Sequence, residues 1–401
     1  MTTLVVTNKP FANLADGYDL RAWHLSRELA RLDSLVLVPI SCSDRDRGKV
    51  TLDPYSLFDE VVEPLVLSAG RPSILRHLRR SDANYYSLGY PRYHRQAVDL
   101  ISAMLKRHSA NRIVAFGGDL AGFLTPFRSA RVLFDAVDST VLFIERYVAA
   151  CTDMTLVNKL RWKLARWRWI HTEGRFPRWF THVTTVSGAD TQVIKRLSGG
   201  RENVTTIPNG VDPVLEQSLA GKHVPSKRGV IFWGSLAFPA NAHAIRFFFD
   251  KVYEPYLAAA GVEWCIVGRG AEPWVEAAAR RYPSIRVMGF VEDVYAVVSD
   301  YPVVINPMVS GGGIKNKVLE AFALEKAVVS TPLGIESIAG AVNGLHYVEA
   351  STPEEMAESV LALLKDPARC KTLGSNARQL IMAQYTWRRV GEKLRLVFGA
   401  M

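Results

Sequence analysis

Cysteine is scarce in this chain. Four cysteines in 401 residues, Cys42, Cys151, Cys265 and Cys370, lie far apart with no CxxC pair, so neither a disulfide frame nor a zinc site is expected. No two of the nine histidines stand at a metal-ligand spacing, and no acidic cluster calls for a metal. A close pair of carboxylates of the kind hydrolases use is also missing. No uninterrupted apolar run approaches the ~18–20 residues that a membrane span requires. The opening MTTLVVTNKPF has neither the basic lead nor the long apolar core of a signal peptide. These absences predict a soluble, cytoplasmic protein that carries no permanently bound cofactor and needs no metal.

What is present is material for large cores. Hydrophobic residues make up 48% and charged residues 22%, which excludes a disordered chain, and the length suits two domains better than one. The net charge of +10 is unevenly spread. Between Arg71 and Arg95 stand six arginines and one acid, Asp82. Between Arg161 and Arg178 stand six Arg or Lys against Glu173 alone, interleaved with Trp162, Trp167 and Trp169. Such a pattern fits a solvated face whose long side chains lie over apolar surface. It also fits an anionic membrane surface at the inner face of the cell membrane, and, as the least favoured reading, a nucleic-acid platform.

Short apolar runs alternate with helical periodicity along the whole chain, the pattern of parallel sheets covered on both faces. In the first half the strands are TTLVVTN, LVLVPI, IVAFGG, VLFDAVD and HVTTVS, with helices over 18–32, 95–107 and 140–171. The second half has strands GVIFWG, EWCIVG, IRVMGF, PVVINP and KAVVST, with helices over 240–259, 273–281, 293–299 and 313–324. The turn Pro208-Asn209-Gly210 and the polar stretch after it separate the halves. The expected division is a first domain over 1–215, a second over 216–384 and a terminal helix over 385–401. Tandem domains of this kind leave a cleft where the carboxyl ends of their sheets meet.

One stretch stands out, PVVINPMVSGGGIKNKVLEAFALEKAVVSTP. A buried strand leads through Gly311, Gly312 and Gly313 into a helix, leaving backbone N–H groups open to an anion. Lys317 and Glu320, three apart, share one helical face. A cation and a carboxylate beside an anion loop suit a ligand with both phosphates and hydroxyls, such as a nucleotide-sugar. A tight turn followed by a surface ion pair would read the same way, except that three glycines add chain entropy without packing.

Several segments, in order, resemble family 4 of the retaining nucleotide-sugar glycosyltransferases. They are ADGYDLR, VSGAD, IPNGVD, WGSLAFPANAHAIRFF, CIVGRG, VMGFVED, GGGIKNKVLEAFALEKAVVST and the final YTW. The resemblance covers essentially the whole length. It implies an α/β architecture of the GT-B type, two Rossmann-like domains with parallel sheets facing across a cleft and a C-terminal helix crossing back to the first domain. It also implies a hexosyl transferase that moves sugar from a nucleoside diphosphate to a hydroxyl of a glycan, lipid-linked or small-molecule acceptor, with retention. The alternatives are a non-catalytic nucleotide-sugar-binding subunit and a GT-B epimerase or phosphorylase.

By this resemblance Glu320 holds the donor ribose. The family's earlier glutamate falls at Gly312, so the chain follows the variant pattern GGGxxxKxLEA. The family's Arg and Lys after the domain's first strand are replaced by Gly234-Ser235-Leu236, and Lys317 is the candidate substitute on the diphosphate. Ser235, Gly268, Arg269, Phe290, Val291, Gly311, Gly312, Gly313 and Ile314 complete the donor side. Gly17 opens the first helix where phosphate or acceptor approaches, with Asp16 and Arg21 beside it. Where the family often has a histidine, the chain reads Gly117-Gly118-Asp119. Asp119 either acts in catalysis or caps the next helix, and Asp138 is a second strand-end acid.

Overall fold

The structure, a computed structural model, describes residues 1–11, 17–41, 56–67, 85–151, 154–217 and 225–401. Most of the first basic cluster, residues 71–84, lies outside the described residues, as does Asp16. The chain forms two compact units. One comprises residues 1–145, 154–209 and 390–401, and the other residues 146–153 and 210–389.

The first unit is built on an all-parallel sheet. Its strands are β1 (Thr2–Thr7), β2 (Ser34–Ser41), β3 (Glu60–Val61), β4 (Leu65–Val66), β5 (Arg112–Phe116), β6 (Arg131–Val137), β7 (His182–Thr185) and β8 (Val204–Thr206). They run in the order β3-β2-β1-β5-β6-β7-β8, with β4 beside β2. The order reverses between β1 and β5, in register from Thr3 opposite Arg112 to Thr7 opposite Phe116. Leu4, Val5 and Val6 are all buried, as expected of a central strand covered on both faces. The longer helices are α1 (Gly17–Leu29), α2 (Pro91–Arg107), α3 (Thr140–Ala150), α4 (Leu156–Glu173) and α5 (Gly188–Leu197).

The expected long helical region over 140–171 consists of two helices. The second has its own start, where the Thr155 hydroxyl accepts from the Asn158 N–H at 3.4 Å. The first helix is capped from a distance, because the Glu173 carboxylate accepts from Ser139 Oγ at 2.6 Å and from the Thr140 N–H at 2.6 Å. Burial pushes the Glu173 carboxyl up to about 8, against the pull of those donors.

The second unit carries β9 (Gly229–Trp233), β10 (Glu263–Val267), β11 (Ile285–Gly289), β12 (Val303–Asn306), β13 (Ala327–Ser330) and β14 (Val348–Glu349). All pairs are parallel, in the order β11-β10-β9-β12-β13-β14. Side chains alternate across β9, so that Val230 and Phe232 join one core and Ile231 and Trp233 the other. Its longer helices are α6 (Pro239–Phe248), α7 (Pro273–Arg281), α8 (Val294–Ser299), α9 (Asn316–Ala323), α10 (Pro353–Lys365) and α11 (Pro367–Gln384).

Two helix expectations change here. The helix over 240–259 is α-helical only to Phe248 and continues as a π-helix over Phe249–Leu257. Pro255 lies inside that turn, where its missing N–H removes an α-type bond. The helix over 313–324 begins at Asn316, so Gly313 and Ile314 belong to the loop before it.

A last helix, α12 (Trp387–Gly399), belongs to the first unit from Val390 onward, so the expected return of the terminal helix is present. Val390, Leu394 and Phe398 form its buried stripe, Arg395 pairs with the buried Glu28, and the Arg112 guanidinium lies 4.9 Å from the Phe398 ring centre.

Arg21 turns out to be a core residue. Its guanidinium grips Asp135 through Nε at 2.7 Å and Nη2 at 3.2 Å, and its Nη1 donates to Asn209 Oδ1 at 3.0 Å. Both charged side chains are 1% exposed. His24 is also buried, and burial with the nearby Arg27 pulls its imidazole down to about 3, so it stays neutral. Arg21→Ala leaves Asp135 as an unpaired buried charge and is expected to cost about 3–5 kcal/mol, read as a lower urea midpoint. An unchanged midpoint would remove this pair from the list of supports.

Candidate functional site

In a parallel sheet, ligands bind beyond the carboxyl ends of the strands where the strand order reverses. In the second unit that point lies between β9 and β12. Two loops meet there, Gly234-Ser235-Leu236 after β9 and the segment of residues 307–315 after β12.

Gly234 has φ +140°, and a Cβ there would lie 3.0 Å from Asn241 Nδ2 and 3.5 Å from Lys317 Nζ. Gly268 is more constrained. With φ +144°, its Cβ would come within 1.9 Å of the Gly234 carbonyl oxygen. The need for glycine at 268 therefore comes from packing between the ends of β9 and β10.

The three-glycine loop is fixed from several sides. Lys315, which is buried, turns back to donate to the Gly312 carbonyl at 2.9 Å and the Gly313 carbonyl at 3.3 Å. Arg146 Nη1 donates to the Gly311 carbonyl at 3.1 Å, and its Nη2 donates to Glu336 Oε2 at 2.8 Å. Ser310 Oγ lies 3.0 Å from His243 Nδ1, and the His243 ring stacks on Tyr147. The loop leads into α9, which starts at Asn316 and whose N-cap residue, Lys315, makes no side-chain capping bond. A helix start beside a carbonyl-anchored glycine loop offers donors and partial positive charge to an anion.

Lys317 and Glu320 sit on the first turns of α9, half-buried. They do not bond to each other. Lys317 Nζ donates to Asn241 Oδ1 at 2.7 Å and lies 3.8 Å from the Phe232 ring centre. Burial, with Lys315 nearby, pulls the Lys317 ammonium down to about 7 despite the opposing pull of Glu320. Glu320 Oε2 accepts from the Trp233 indole N–H at 2.9 Å. Burial pushes the Glu320 carboxyl above the ordinary glutamate range, with Trp233 and Lys317 pulling back. The Tyr295 hydroxyl, 3.5 Å from Asp212, is pushed upward by burial and by Glu320.

The other donor-side candidates fall into two groups. Arg269 and Phe290 come together beyond β10 and β11, with the guanidinium carbon 3.8 Å from the ring centre. Phe290 is 59% exposed, leaving a flat aromatic face to water. Ser235 is exposed, and its carbonyl accepts from Asn241 Nδ2 at 2.9 Å. Val291 and Ile314 instead pack against the core under α9.

The acid candidates lie in the first unit, Asp119 at its strand-order reversal and Asp138 one strand further along. Asp119 is exposed beyond β5, and its Oδ2 accepts from Asn8 Nδ2 at 3.1 Å. The short 3-10 turn there is capped at Gly117, so Asp119 is not its cap. Asp138 follows β6 on the neighbouring strand end, half-buried and near Glu173. Gly17 is exposed at the start of α1. Among the described residues, no group of three or more His, Cys, Asp or Glu is placed to hold a metal ion.

Trp233, Asn241, Lys315 and His243 were not singled out from sequence. Each lies far along the chain from the residue it serves, or bonds to backbone. The one available signal is the indole that ends the apolar strand GVIFW.

Residues 227–366 match the sequence profile of the family described as glycosyl transferases group 1. An uncharacterized glycosyltransferase of Methanocaldococcus jannaschii is 25% identical over 109 residues, which is 27% of this chain and 28% of that protein. The whole chain superposes on Anabaena HepE in complex with UDP and glucose, with a TM-score of 0.67, 13% identity and 100% of both chains covered. It superposes equally on sucrose-phosphate synthase from Thermosynechococcus elongatus, with a TM-score of 0.68, 14% identity and 100% of both chains covered. The architecture is therefore the GT-B fold of two Rossmann-like domains.

Trp233→Phe removes the donor on Glu320 while keeping an aromatic ring. The Glu320 carboxyl is then expected to titrate still higher, which carbon-13 NMR of labelled glutamate reads directly. A titration identical to the parent's would break the link between the indole and this carboxylate.

Proposed function

We propose that the chain is a glycosyltransferase that moves a sugar from a nucleoside diphosphate to a hydroxyl, with retention of configuration. The observation that carries this reading is α9. Its N-terminal end and the glycine loop before it supply anion donors, Lys317 turns toward the loop after β9, and Glu320 is held on the same helix for a diol. The region lies within the segment that matches the glycosyl transferases group 1 profile. UDP is the first nucleotide to try, because Anabaena HepE binds UDP and glucose.

In this reading Glu320 accepts from both ribose hydroxyls, and Phe290 with Arg269 offers a stacking face for the base. Lys317 and the N–H groups of the loop meet the diphosphate. The main chemical demand is charge stabilisation as the diphosphate departs, which preorganised donors supply. Gly311, Gly312 and Gly313 let the phosphates approach the backbone closely. Asp119 and Asp138 are the candidates for orienting the acceptor hydroxyl, a glycan, lipid-linked or small-molecule alcohol. The rival reading is a non-catalytic nucleotide-sugar-binding subunit, motivated by glycine at 312 and the uncharged loop after β9. Turnover of labelled nucleotide-sugars with a lipid extract as acceptor separates the two.

Glu320→Gln tests the reading on two axes. Removing the charge is expected to weaken nucleoside-diphosphate binding by about 1–3 kcal/mol, roughly one to two orders of magnitude in dissociation constant. Stability should move the other way. A carboxyl whose folded-state pKa is raised disfavours the fold once pH exceeds its unfolded value, so the glutamine variant should gain stability at neutral pH and not at acid pH. Calorimetry with UDP and urea melts at two pH values check both. Unchanged affinity in a folded variant would take Glu320 out of the site.

Lys317 sets a pH dependence with a definite sign. Its ammonium loses its proton at about 7 in the free protein, and an arriving diphosphate favours the charged form. Nucleotide affinity is expected to fall as pH rises above that value, with proton uptake on binding. Lys317→Arg, charged throughout, should flatten the profile. Calorimetry in buffers of different ionisation enthalpy measures the uptake. A parent profile that is already flat would demote Lys317.

A further inference from the structure

α4 carries two apolar stripes, and the fold uses only one of them. At about 100° per residue, Trp162, Ala165, Trp169 and Thr172 fall on one side. Trp169 packs against the first unit's core and against Gly118. On the opposite side, Leu156, Val157, Leu160, Leu164 and Trp167 lie within an arc of about 100°. Their exposures are 79%, 67%, 66%, 40% and 58%. The cations flank this outer stripe. Lys159, Lys163 and Arg166 line one shoulder, and Arg161 and Arg168 the other.

The only acid on the helix, Glu173, is buried and committed to Ser139 and the start of α3. Among the described neighbours, Glu145 pairs with Arg166 at 2.6 Å, and the remaining four cations of α4 stay uncompensated by any described ion pair. No described helix is long and apolar enough to cross a membrane.

We propose that the outer face of α4 docks on an anionic bilayer surface, with the helix lying in the plane of the headgroups. The 18-residue helix gives a contact about 27 Å long. Its apolar stripe reaches the acyl boundary while the shoulder lysines and arginines meet lipid phosphates, the division that interfacial helices show. The charge pattern selects this occupant. A protein groove or a second copy of the chain would have to place acidic groups along both edges of an apolar ridge. A membrane of anionic lipids presents negative charge on every side. The proposal does not depend on sugar transfer. If the acceptor is lipid-linked, the same contact would hold the enzyme at its substrate's surface.

The test uses the purified full chain, without nucleotide or sugar, floated with vesicles of phosphatidylcholine alone or mixed with phosphatidylglycerol. The parent is expected to float with the mixed vesicles and not with the neutral ones, and to release as salt rises. The double variant Leu160→Ser with Trp167→Ser should lose flotation while keeping its melting temperature, since both side chains are exposed. Lys159→Gln and Lys163→Gln should each lower partitioning about fivefold. Equal recovery with the two vesicle types would overturn the proposal, as would a double variant that floats like the parent. A parent that stays with water and instead self-associates through this face in sedimentation would assign the stripe to a second copy.

Discussion

The second unit depends on holding two opposite charges near each other without letting them neutralise each other. Glu320 and Lys317 are neighbours on one helical face, yet each bonds elsewhere, the carboxylate to Trp233 and the ammonium to Asn241. Burial works against both charged forms, and the two side chains shift in opposite directions for that single reason. The indole and the carboxamide fix where each group points, and both come from the segment that begins with β9. The strand therefore positions the chemistry of the helix.

That arrangement follows from strand alternation. Phe232 and Trp233 are consecutive and must face opposite sides of the sheet. Phe232 enters one core, while its ring face still meets the Lys317 ammonium near the strand end. Trp233 enters the other core with its N–H directed at α9. Gly234 follows, and its carbonyl is the surface against which Gly268 has to be glycine. A side chain at Gly268 would separate the ends of β9 and β10, whereas one at Gly234 would press on Asn241 and Lys317.

Much of the fold was legible in the sequence because both sheets are parallel. Their strands read as short apolar runs, and the glycine-rich turns fall where strands meet helices. The failures were local. The helical region over 140–171 hides its break because apolar and basic residues persist through it, and periodicity alone does not report a second cap at Thr155. The helix over 313–324 was started too early, since Ile314 looks like the first residue of an apolar stripe but packs from the loop. Within the candidate site, Glu320 and Lys317 were visible because their spacing lies within one helix. Trp233 was not visible, since it stands 87 positions before the carboxylate it serves, and a single sequence carries no record of such a pairing. Arg21 misled for the opposite reason. An arginine on the first helix looks available to a phosphate, whereas the fold spends it on Asp135 and on the turn at Asn209.

The separation of Lys317 from Glu320 also bears on why the site should prefer one kind of ligand. Had the two formed an ion pair, each would have satisfied the other, and a ligand would have to break that bond before gaining any of its own. A neutral carboxamide and an indole orient the charges without cancelling them. The ammonium keeps its demand for an anion and the carboxylate its demand for donors. A ligand bearing only phosphate answers one demand and leaves a half-buried carboxylate without its donors, while a bare sugar answers the other and leaves the lysine short of an anion. A nucleoside diphosphate carries both groups a few bonds apart, so it relieves both desolvation costs in a single binding event. Under the proposed reading, discrimination between nucleotides and simpler anions is therefore built into how the free site is held.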